Sequence, residues 1–388
     1  MKSFRHIVPP LRLFSGADSL DRLEAELDRL KSRRAVIFCG STLGQSPLID
    51  LVKASAGSRI AGVYAEVRPN TPLPTVQEAV AELRRLDADA VIALGGGSAI
   101  VTARAATILL AEQGDARTLC TRLDASGKLI SPRLLKPKIP QLVIPTTPTT
   151  ATVRVGSALL DPVAGERLSL YDPATRAQVV LIHPDLIKTA PPDLVVSAGV
   201  NTLVLAVEGL MTHSGDPISD ALLIHAVRLL VRNLPRVKTG DDLSVRADLI
   251  LASVMCGQGT DYTGAGAAMA IGHSIRAMYQ TNNGIADSIV LPYVLHFNAP
   301  SSRTGINKLA AALALTQSDE ASTITAVVAA FNALFDELNI PRRLRDLGVT
   351  QDTLQKLAEI SLTDWFMETN PRKVHDSAEL EPILEKAW

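Results

Sequence analysis

The first half of the chain alternates short apolar runs with longer segments in which apolar residues recur every three or four positions. The short, β-branched runs predict buried strands, and the periodic segments predict amphipathic helices. The predicted strands cover residues 34–40, 60–67, 91–94, 141–145, 157–161 and 178–182. The predicted helices between them include 46–54 and 74–86. This alternation predicts a parallel sheet with helices on both faces.

The pattern changes after about residue 187, where strand signals give way to long helical segments rich in alanine and leucine. The predicted helices cover residues 198–211, 218–233, 243–256, 265–279, 319–338 and 352–358. Prolines cluster at residues 184–192. The chain is therefore predicted to be α/β plus all-α, with a Rossmann-like parallel-sheet domain at 1–187 and a helical domain at 188–388. We expect the two domains to pack with a cleft between them.

Three consecutive glycines interrupt the chain between a predicted strand and a predicted helix. Gly95, Gly96 and Gly97 follow the strand, and Ser98 precedes an alanine-rich segment. Glycine lets backbone N–H groups approach a ligand closely, and a helix start adds unpaired donors and a positive dipole end. The stretch is therefore predicted to cradle a diphosphate, with Ser98 as the helix cap. A turn that uses glycine for packing alone is the alternative.

Composition narrows the possible partners and compartment. The 39 basic and 40 acidic residues of the 388-residue chain nearly balance, so we expect a small-molecule substrate and neither nucleic acid nor a membrane as partner. Charges or glycines interrupt the longest apolar runs, and the N-terminus lacks the apolar core of a signal peptide. Cys39, Cys120 and Cys256 are odd in number and far apart, which argues against a disulfide framework. We therefore expect a cytoplasmic protein.

Several short motifs follow one another in a characteristic order. They are Gly95-Gly96-Gly97-Ser98, Pro145-Thr146-Thr147, Gly199-Val200-Asn201, Glu208-Gly209, Gly272-His273, the stretch 284–298 and Asn370-Pro371-Arg372. In this order they resemble the iron-containing (group III) alcohol dehydrogenase family, and within it they look closest to the maleylacetate reductases. The resemblance implies a dehydroquinate synthase-like fold, an active site in the interdomain cleft, NAD(H) or NADP(H) as cofactor, and a homodimer or higher homo-oligomer.

The resemblance also assigns cofactor contacts. The implied contacts to the pyrophosphate, adenosine and ribose are Gly95, Gly96, Gly97, Ser98, Thr146, Thr147 and Thr150. Many family members have an aspartate where this chain has Gly40, and without that carboxylate NADPH is not excluded. Val101 and Arg104 replace a family Asp and Lys, and the loop 145–153 lacks two family glycines, which stiffens it.

All four positions that carry metal ligands in metal-dependent relatives have changed. The resemblance aligns them with Asn201, Leu205, Met269 and Asn283. Leucine cannot ligate, a thioether is a soft donor, and amide carbonyls are weak neutral donors. We therefore expect no catalytic metal here.

The remaining polar residues near these positions could still support hydride chemistry. His273 matches a family histidine near the nicotinamide and could deliver a proton; a histidine that only packs in the core is the alternative. Arg276 and Tyr279 follow at one-turn intervals, and with Asn201 they complete the candidate catalytic set. The candidate substrate-binding residues are Arg154, Arg167 and Asn283, although an arginine in a structural salt bridge is the commoner role.

The sequence therefore predicts a metal-independent NAD(P)H-dependent reductase for a small carbonyl or keto-acid substrate. A diverged family member that binds nucleotide without redox turnover is the alternative, motivated by Val101, Pro148 and Ala151. A cyclisation of the dehydroquinate-synthase type is disfavoured, because relatives of that type also use a bound metal.

Overall fold

A computed structural model describes residues 3–124, 129–240, 242–316 and 319–388, without the side chains of Leu123 and Asn283. The chain divides into two compact units, Pro9–Ala190 and a second unit formed by residues 3–8 with Pro191–Trp388. The first unit contains a parallel sheet with helices, and the second is helical. The predicted fold class, α/β plus all-α, is confirmed.

The first unit contains all the strands of the described chain. The strands are β1 (Arg12–Ser15), β2 (Ala35–Phe38), β3 (Ile60–Tyr64), β4 (Ala90–Gly95), β5 (Arg122–Leu123), β6 (Leu129–Ile130), β7 (Gln141–Pro145), β8 (Gly156–Asp161), β9 (Glu166–Tyr171) and β10 (Val179–Ile182). Its α-helices are α1 (Leu23–Arg29), α2 (Ser41–Gly44), α3 (Leu48–Ser55), α4 (Leu73–Arg85), α5 (Gly97–Glu112), α6 (Ala116–Leu119) and α7 (Pro184–Ile187).

The main sheet is six-stranded and parallel, in the order β1-β10-β7-β4-β2-β3. Strands β2, β4, β7 and β10 are buried along their whole length, as expected for strands covered on both faces. The chain passes from β2 outward to β3 and then returns to β4 on the other side of β2. The order therefore reverses between β2 and β4, and in such sheets ligands bind at the carboxyl ends of the strands beside this point.

Two strand predictions need correction. The predicted strand 157–161 is β8, but it lies outside the main sheet and pairs antiparallel with β9 in a hairpin. The edge strand β1 was not predicted, because it has only four residues and both its ends are exposed. Short edge strands carry little of the apolar pattern from which strands are predicted.

The second unit is built from helices. They are α8 (Pro192–Met211), α9 (Pro217–Asn233), α10 (Leu243–Thr263), α11 (Ala267–Tyr279), α12 (Asn283–Asn298), α13 (Arg303–Ala312), α14 (Glu320–Glu337), α15 (Leu354–Leu362) and α16 (Glu381–Ala387). By length and composition α8 could cross a membrane, but 83% of its most apolar stretch is buried, as in the core helix of a globular unit. Helix α12 contains Pro292 in its interior, which weakens a prediction of helix from sequence.

The first residues of the described chain pack with the helical unit. His6 Nδ1 lies 3.2 Å from Asp216 Oδ2, and the backbone N–H of Ile7 donates to Tyr262 Oη at 2.8 Å. The sequence had placed these residues in the N-terminal domain, because local pattern does not show which distant helix a terminal segment contacts. The second boundary between the two units lies between Ala190 and Pro191.

Candidate active site

The glycine loop brings the backbone at the start of α5 close to the threonine side chains that follow β7. Strand β4 ends at Gly95, whose φ of +140° is a conformation that favours glycine, and helix α5 begins at Gly97. A Cβ on Gly96 would lie 3.0 Å from Thr147 Oγ1, and one on Gly97 would lie 3.4 Å from Thr149 Oγ1. The absence of side chains here therefore leaves room for close approach to the backbone.

Ser98 lies in the first turn of α5 and is not its cap, which corrects the prediction. Gly96 occupies the N-cap position, and within the described residues no side chain caps this helix start. The first N–H groups of a helix have no intrahelical partner and carry the positive end of the dipole. They are therefore suited to a diphosphate.

The threonine-rich loop after β7 lies directly beside the glycine loop. The backbone N–H of Thr146 donates to the Gly95 carbonyl at 3.0 Å, and Thr147 is buried with its hydroxyl over Gly96. Thr150 begins a short 3-10 helix that Thr149 caps by accepting from the Ala151 N–H at 3.3 Å. Thr149, which sequence reasoning missed, therefore borders the loop together with Thr147.

A buried arginine holds this threonine loop in place. Arg104 is fully buried in α5, and its guanidinium donates to the carbonyls of Ala151 and Gly156, the latter at 2.8 Å. Arg176 donates to the carbonyl of Val153 in the same segment. Arg104, which stands where the family has a lysine, thus stabilises the threonine loop that lacks the two family glycines.

Gly40 lies two residues after the end of β2, the strand next to β4, and occupies the N-cap position of helix α2. A Cβ on Gly40 would meet nothing nearer than the Val67 carbonyl at 3.7 Å, so the position is roomy. Leu43 Cδ1 lies 3.9 Å from where a Gly95 Cβ would be, which makes the two turns neighbours. The structure therefore brings Gly40 to the same edge of the sheet as the glycine loop.

The structure places the two candidate substrate arginines of this unit apart from each other. Arg154 is half-buried just after the 3-10 helix of the threonine loop, and Arg167 is exposed on β9 opposite Leu160. Their role in substrate binding stays a prediction.

In the helical unit, α12 and α8 make a close contact beside Asn201. A Cβ on Gly284 would overlap the Ser197 carbonyl and lie 2.8 Å from the Asn201 nitrogen, so only glycine permits this approach. One turn later, Asp287 Oδ2 accepts a hydrogen bond from Asn201 Nδ2 at 2.7 Å. Helix packing thus brings an unpredicted carboxylate to Asn201.

The family's metal-ligand positions hold a different set of groups here. The Asn201 amide nitrogen lies 3.8 Å from Met269 Sδ, and Leu205 is a buried core residue. The side chain of Asn283 lies outside the described part of the structure. Among the described residues, no group of three or more His, Cys, Asp or Glu side chains could hold a metal ion.

His273 is oriented by a carboxylate and packed against two aromatic rings. Its Nδ1 lies 2.8 Å from Asp364 Oδ2, and the ring centroids of Trp365 and Phe366 lie 5.4 and 5.6 Å away. Because Nδ1 faces the carboxylate, Nε2 is the ring nitrogen directed away from Asp364. Asp364 was missed because it lies 91 residues from His273 in sequence.

A second buried carboxylate anchors the helix that carries His273. Glu208 accepts hydrogen bonds from the N–H groups of Gly266, Ala268 and Met269 at 2.7–3.0 Å. Burial raises the pKa of Glu208 to about 7, although these donors favour its charged form. The start of α11 is thereby filled by the protein's own side chain.

Arg276 and Tyr279 continue along α11 but face different surroundings. Burial lowers the pKa of the half-buried Arg276, and the carboxylate of Asp287 opposes that effect, so the two groups interact electrostatically. Tyr279 Oη instead lies 2.6 Å from Thr353 Oγ1 and accepts from the Thr350 N–H at 3.3 Å. The structure therefore groups Arg276 with Asn201 and Asp287, whereas Tyr279 contacts the segment before α15.

Comparisons with known proteins agree over both units. The family described as iron-containing alcohol dehydrogenase matches residues 10–184, and its C-terminal counterpart matches residues 195–388. Lactaldehyde reductase of Escherichia coli (strain K12) is 31% identical over 96% of this chain and 97% of its own. A maleylacetate reductase of Sphingobium indicum is 26% identical over 97% and 95%.

A solved structure shows the same fold over the whole length. Sulfoacetaldehyde reductase from Bifidobacterium kashiwanohense, determined in complex with NAD+, matches with a TM-score of 0.87 at 19% identity, covering 100% of this chain and 99% of that one. The chain belongs to the iron-containing alcohol dehydrogenase family, whose members are NAD-dependent alcohol and aldehyde reductases.

Proposed function

We propose that this chain is a metal-independent NAD(P)H-dependent reductase of small carbonyl or keto-acid compounds. The observation that carries the proposal is the 2.7 Å hydrogen bond from Asn201 to Asp287. The Asn201 nitrogen donates this hydrogen bond and therefore cannot be a ligand for a cation. The position that the resemblance aligns with a metal ligand therefore holds an amide whose nitrogen is engaged by a carboxylate and whose oxygen is a weak neutral donor.

The described groups at the family's metal positions do not fit ferrous iron or zinc. Those ions prefer imidazole, thiolate or carboxylate ligands, whereas this chain offers an engaged amide, a thioether and a leucine. The charge of Arg276 near Asp287 further disfavours a bound cation. We therefore route no step of the reaction through a metal.

The glycine loop fits a nicotinamide dinucleotide. The open N-terminus of α5 offers N–H donors for the diphosphate, with Thr147 and Thr149 at its border. Gly40 presents no carboxylate to repel a 2′-phosphate, and Ser41 and Thr42 beside it are exposed. We therefore expect both NADH and NADPH to bind.

The bound nicotinamide supplies the hydride to the carbonyl carbon, and the protein supplies the proton. We infer that His273 donates a proton from Nε2 to the carbonyl oxygen, which completes the conversion of the carbonyl to an alcohol. Asp364 fixes the ring by its contact with Nδ1 and stabilises the charged imidazolium. Trp365 and Phe366 limit the access of water to the ring.

We also propose a cytoplasmic location and a homo-oligomer. Cys39, Cys120 and Cys256 are all free and buried, which suits a reducing compartment. Strand β1 lies at an edge of the main sheet and could pair with a second copy. Sedimentation of the purified protein tests the second point.

The function is tested on protein dialysed against a chelator until mass spectrometry finds no iron or zinc. We expect fluorescence titration to detect binding of NADH and NADPH. We also expect oxidation of the bound cofactor with at least one member of a panel of aldehydes and keto acids, at a rate that added Fe²⁺ or Zn²⁺ does not raise.

Two outcomes would count against the proposal. Failure to bind either nucleotide would exclude a nicotinamide-dependent activity. Binding without oxidation by any member of the panel would favour the alternative, a family member that binds nucleotide without redox turnover.

A further inference from the structure

Asp287 is a buried charged residue to which the proposed reaction gives no role. Asp287 is fully buried in α12, near the positions that relatives use for metal ligands. Its Oδ2 accepts from the Asn201 amide, whose nitrogen also lies 3.8 Å from Met269 Sδ. Burying a carboxylate is costly unless charge and hydrogen bonds compensate it, so this position calls for an explanation.

The neighbouring helix leaves room for this carboxylate. A Cβ placed on Gly272 of α11 would overlap Asp287 Oδ1. Gly272 is helical, and a helix-interior glycine is less favourable than alanine by about 1 kcal/mol. Gly272 is thus a poor helix former at a position of α11 where the methyl group of an alanine would displace Asp287.

The compensating charge comes from Arg276. Gly272 and Arg276 are four residues apart in α11 and therefore lie on the same face of the helix, towards Asp287. The carboxylate acts electrostatically on the guanidinium, which burial alone would destabilise. An arginine stays protonated in proteins and has five N–H donors, so one carboxylate does not exhaust them.

We propose that Asp287 is a positioning residue that holds Arg276 to receive the carboxylate of a substrate, so that the site prefers carbonyl compounds bearing a carboxylate. A guanidinium binds a planar carboxylate through two parallel hydrogen bonds. Arg276 is only half-buried and can reach a ligand. The reaction itself rests on the proposed function, whereas the binding of an anion does not.

Binding is tested by calorimetry with malonate and its neutral analogue malonamide, on the full-length protein with bound NADH and again without it. We expect malonate to bind at least about tenfold more tightly than malonamide, and R276M to abolish that difference. R276K keeps the charge without the planar fork and should retain only part of it. R232M, on the exposed face of α9, is the matched control and should leave the difference unchanged.

Positioning is tested by D287N, which keeps the shape and the acceptor for Asn201 but removes the charge. For glyoxylate and succinic semialdehyde we expect kcat to fall about 10- to 100-fold and KM to rise, because Arg276 is no longer held in place to receive the carboxylate. For acetaldehyde and butanal, which have no carboxylate for Arg276 to bind, we expect a loss in kcat at least about tenfold smaller. Equal losses in kcat for both substrate classes would show a merely structural role and overturn the proposal.

A double-mutant cycle tests the geometry independently of turnover. We expect G272A to lower the melting temperature and D287A in the same chain to restore at least half of the loss, because it removes the overlapping oxygen. Additive effects would contradict the packing of Asp287 against Gly272. This readout remains available if D287N alone folds poorly.

The two proposals fail in different ways. If malonate binds through Arg276 but no carbonyl compound oxidises the cofactor, the reductase proposal fails and the anion site remains. If the protein reduces charged and neutral carbonyls equally well and binds malonate no better than malonamide, the carboxylate preference is wrong and the reductase proposal remains.

Discussion

The glycine loop of the sheet unit and the α8–α11–α12 group of the helical unit carry function in opposite ways. In the proposed nucleotide site of the loop, main-chain N–H groups at the start of α5 are the binding groups, and side chains at Gly95 to Gly97 need only be absent. In the helical group, we propose that Asn201, His273 and Asp287 act through their side chains. A backbone site tolerates substitution around it, whereas each substitution in a side-chain site changes the chemistry.

The N-termini of helices α5 and α11 also differ in whether backbone or side-chain groups are used. Both helices begin with N–H groups that need an acceptor. At α11 the carboxylate of Glu208 fills that place, whereas within the described residues α5 has no side-chain cap. The helix start that the protein leaves open is the one suited to a ligand.

The largest expected effect concerns the side-chain site. We expect His273→Ala to lower kcat about 100- to 1000-fold, because the proton donor is lost, and to leave the Kd of NADH within about threefold. His225→Ala, at an exposed position of α9, is the control. Stopped-flow turnover and fluorescence titration separate the two quantities. A loss of NADH binding equal to the loss in kcat would contradict this division of roles.

The next effect concerns the backbone site. We expect Gly96→Val to raise the Kd of NADH about 100-fold, because its side chain would crowd Thr147 and block approach to the N–H groups. Ser98→Ala keeps every backbone donor and should change the Kd less than about threefold. Fluorescence titration of both variants measures this. If Ser98→Ala were the more damaging variant, the loop would act through side chains after all.

The sequence predicted most of what depends on local pattern. The strands β2, β4, β7 and β10 and the helices α9, α11 and α14 lie close to their predicted ranges, whereas α8 and α10 are longer than predicted and α12 was not predicted. The glycine loop was recognisable because it sits between a buried strand and a helix. Family membership, indicated by the order of the motifs, is confirmed.

The polar partners of the site could not be predicted in the same way. Asp364 and Asp287 lie 91 and 86 residues from the groups they contact, and no local period relates them. Gly272 and Gly284 mark in the sequence the close contacts between α12 and its neighbouring helices, whereas no such glycine marks the contact of Asp364. Reading such glycines as contacts requires knowing which helices are neighbours.

A third prediction tests the closed helix start at α11. The pKa of Glu208 is raised from 4.5 to about 7 in the folded protein, so the folded state binds more protons than the unfolded state between these values. The stability from this group is thus complete below pH 4.5 and is lost as pH rises to about 7, by about 3 kcal/mol. We expect urea unfolding from pH 5 to 8 to show this decline, and Glu208→Gln to remove it. Glu337→Gln, at an exposed position, should keep it.

The smallest expected effect concerns Arg104, a side chain that supports the threonine loop without being part of the proposed cofactor contacts. Arg104 does not need to touch the cofactor, because it acts through the carbonyls of Ala151 and Gly156 that hold the threonine loop. We expect Arg104→Met to raise KM for NADH about tenfold with kcat changed less than threefold, and Arg104→Lys to recover part of the loss. Steady-state kinetics at varied NADH measures both. A fall in kcat without a rise in KM would mean that Arg104 affects the chemical step and not cofactor binding. The glycine loop and the helical group would then not have separate roles in binding and chemistry.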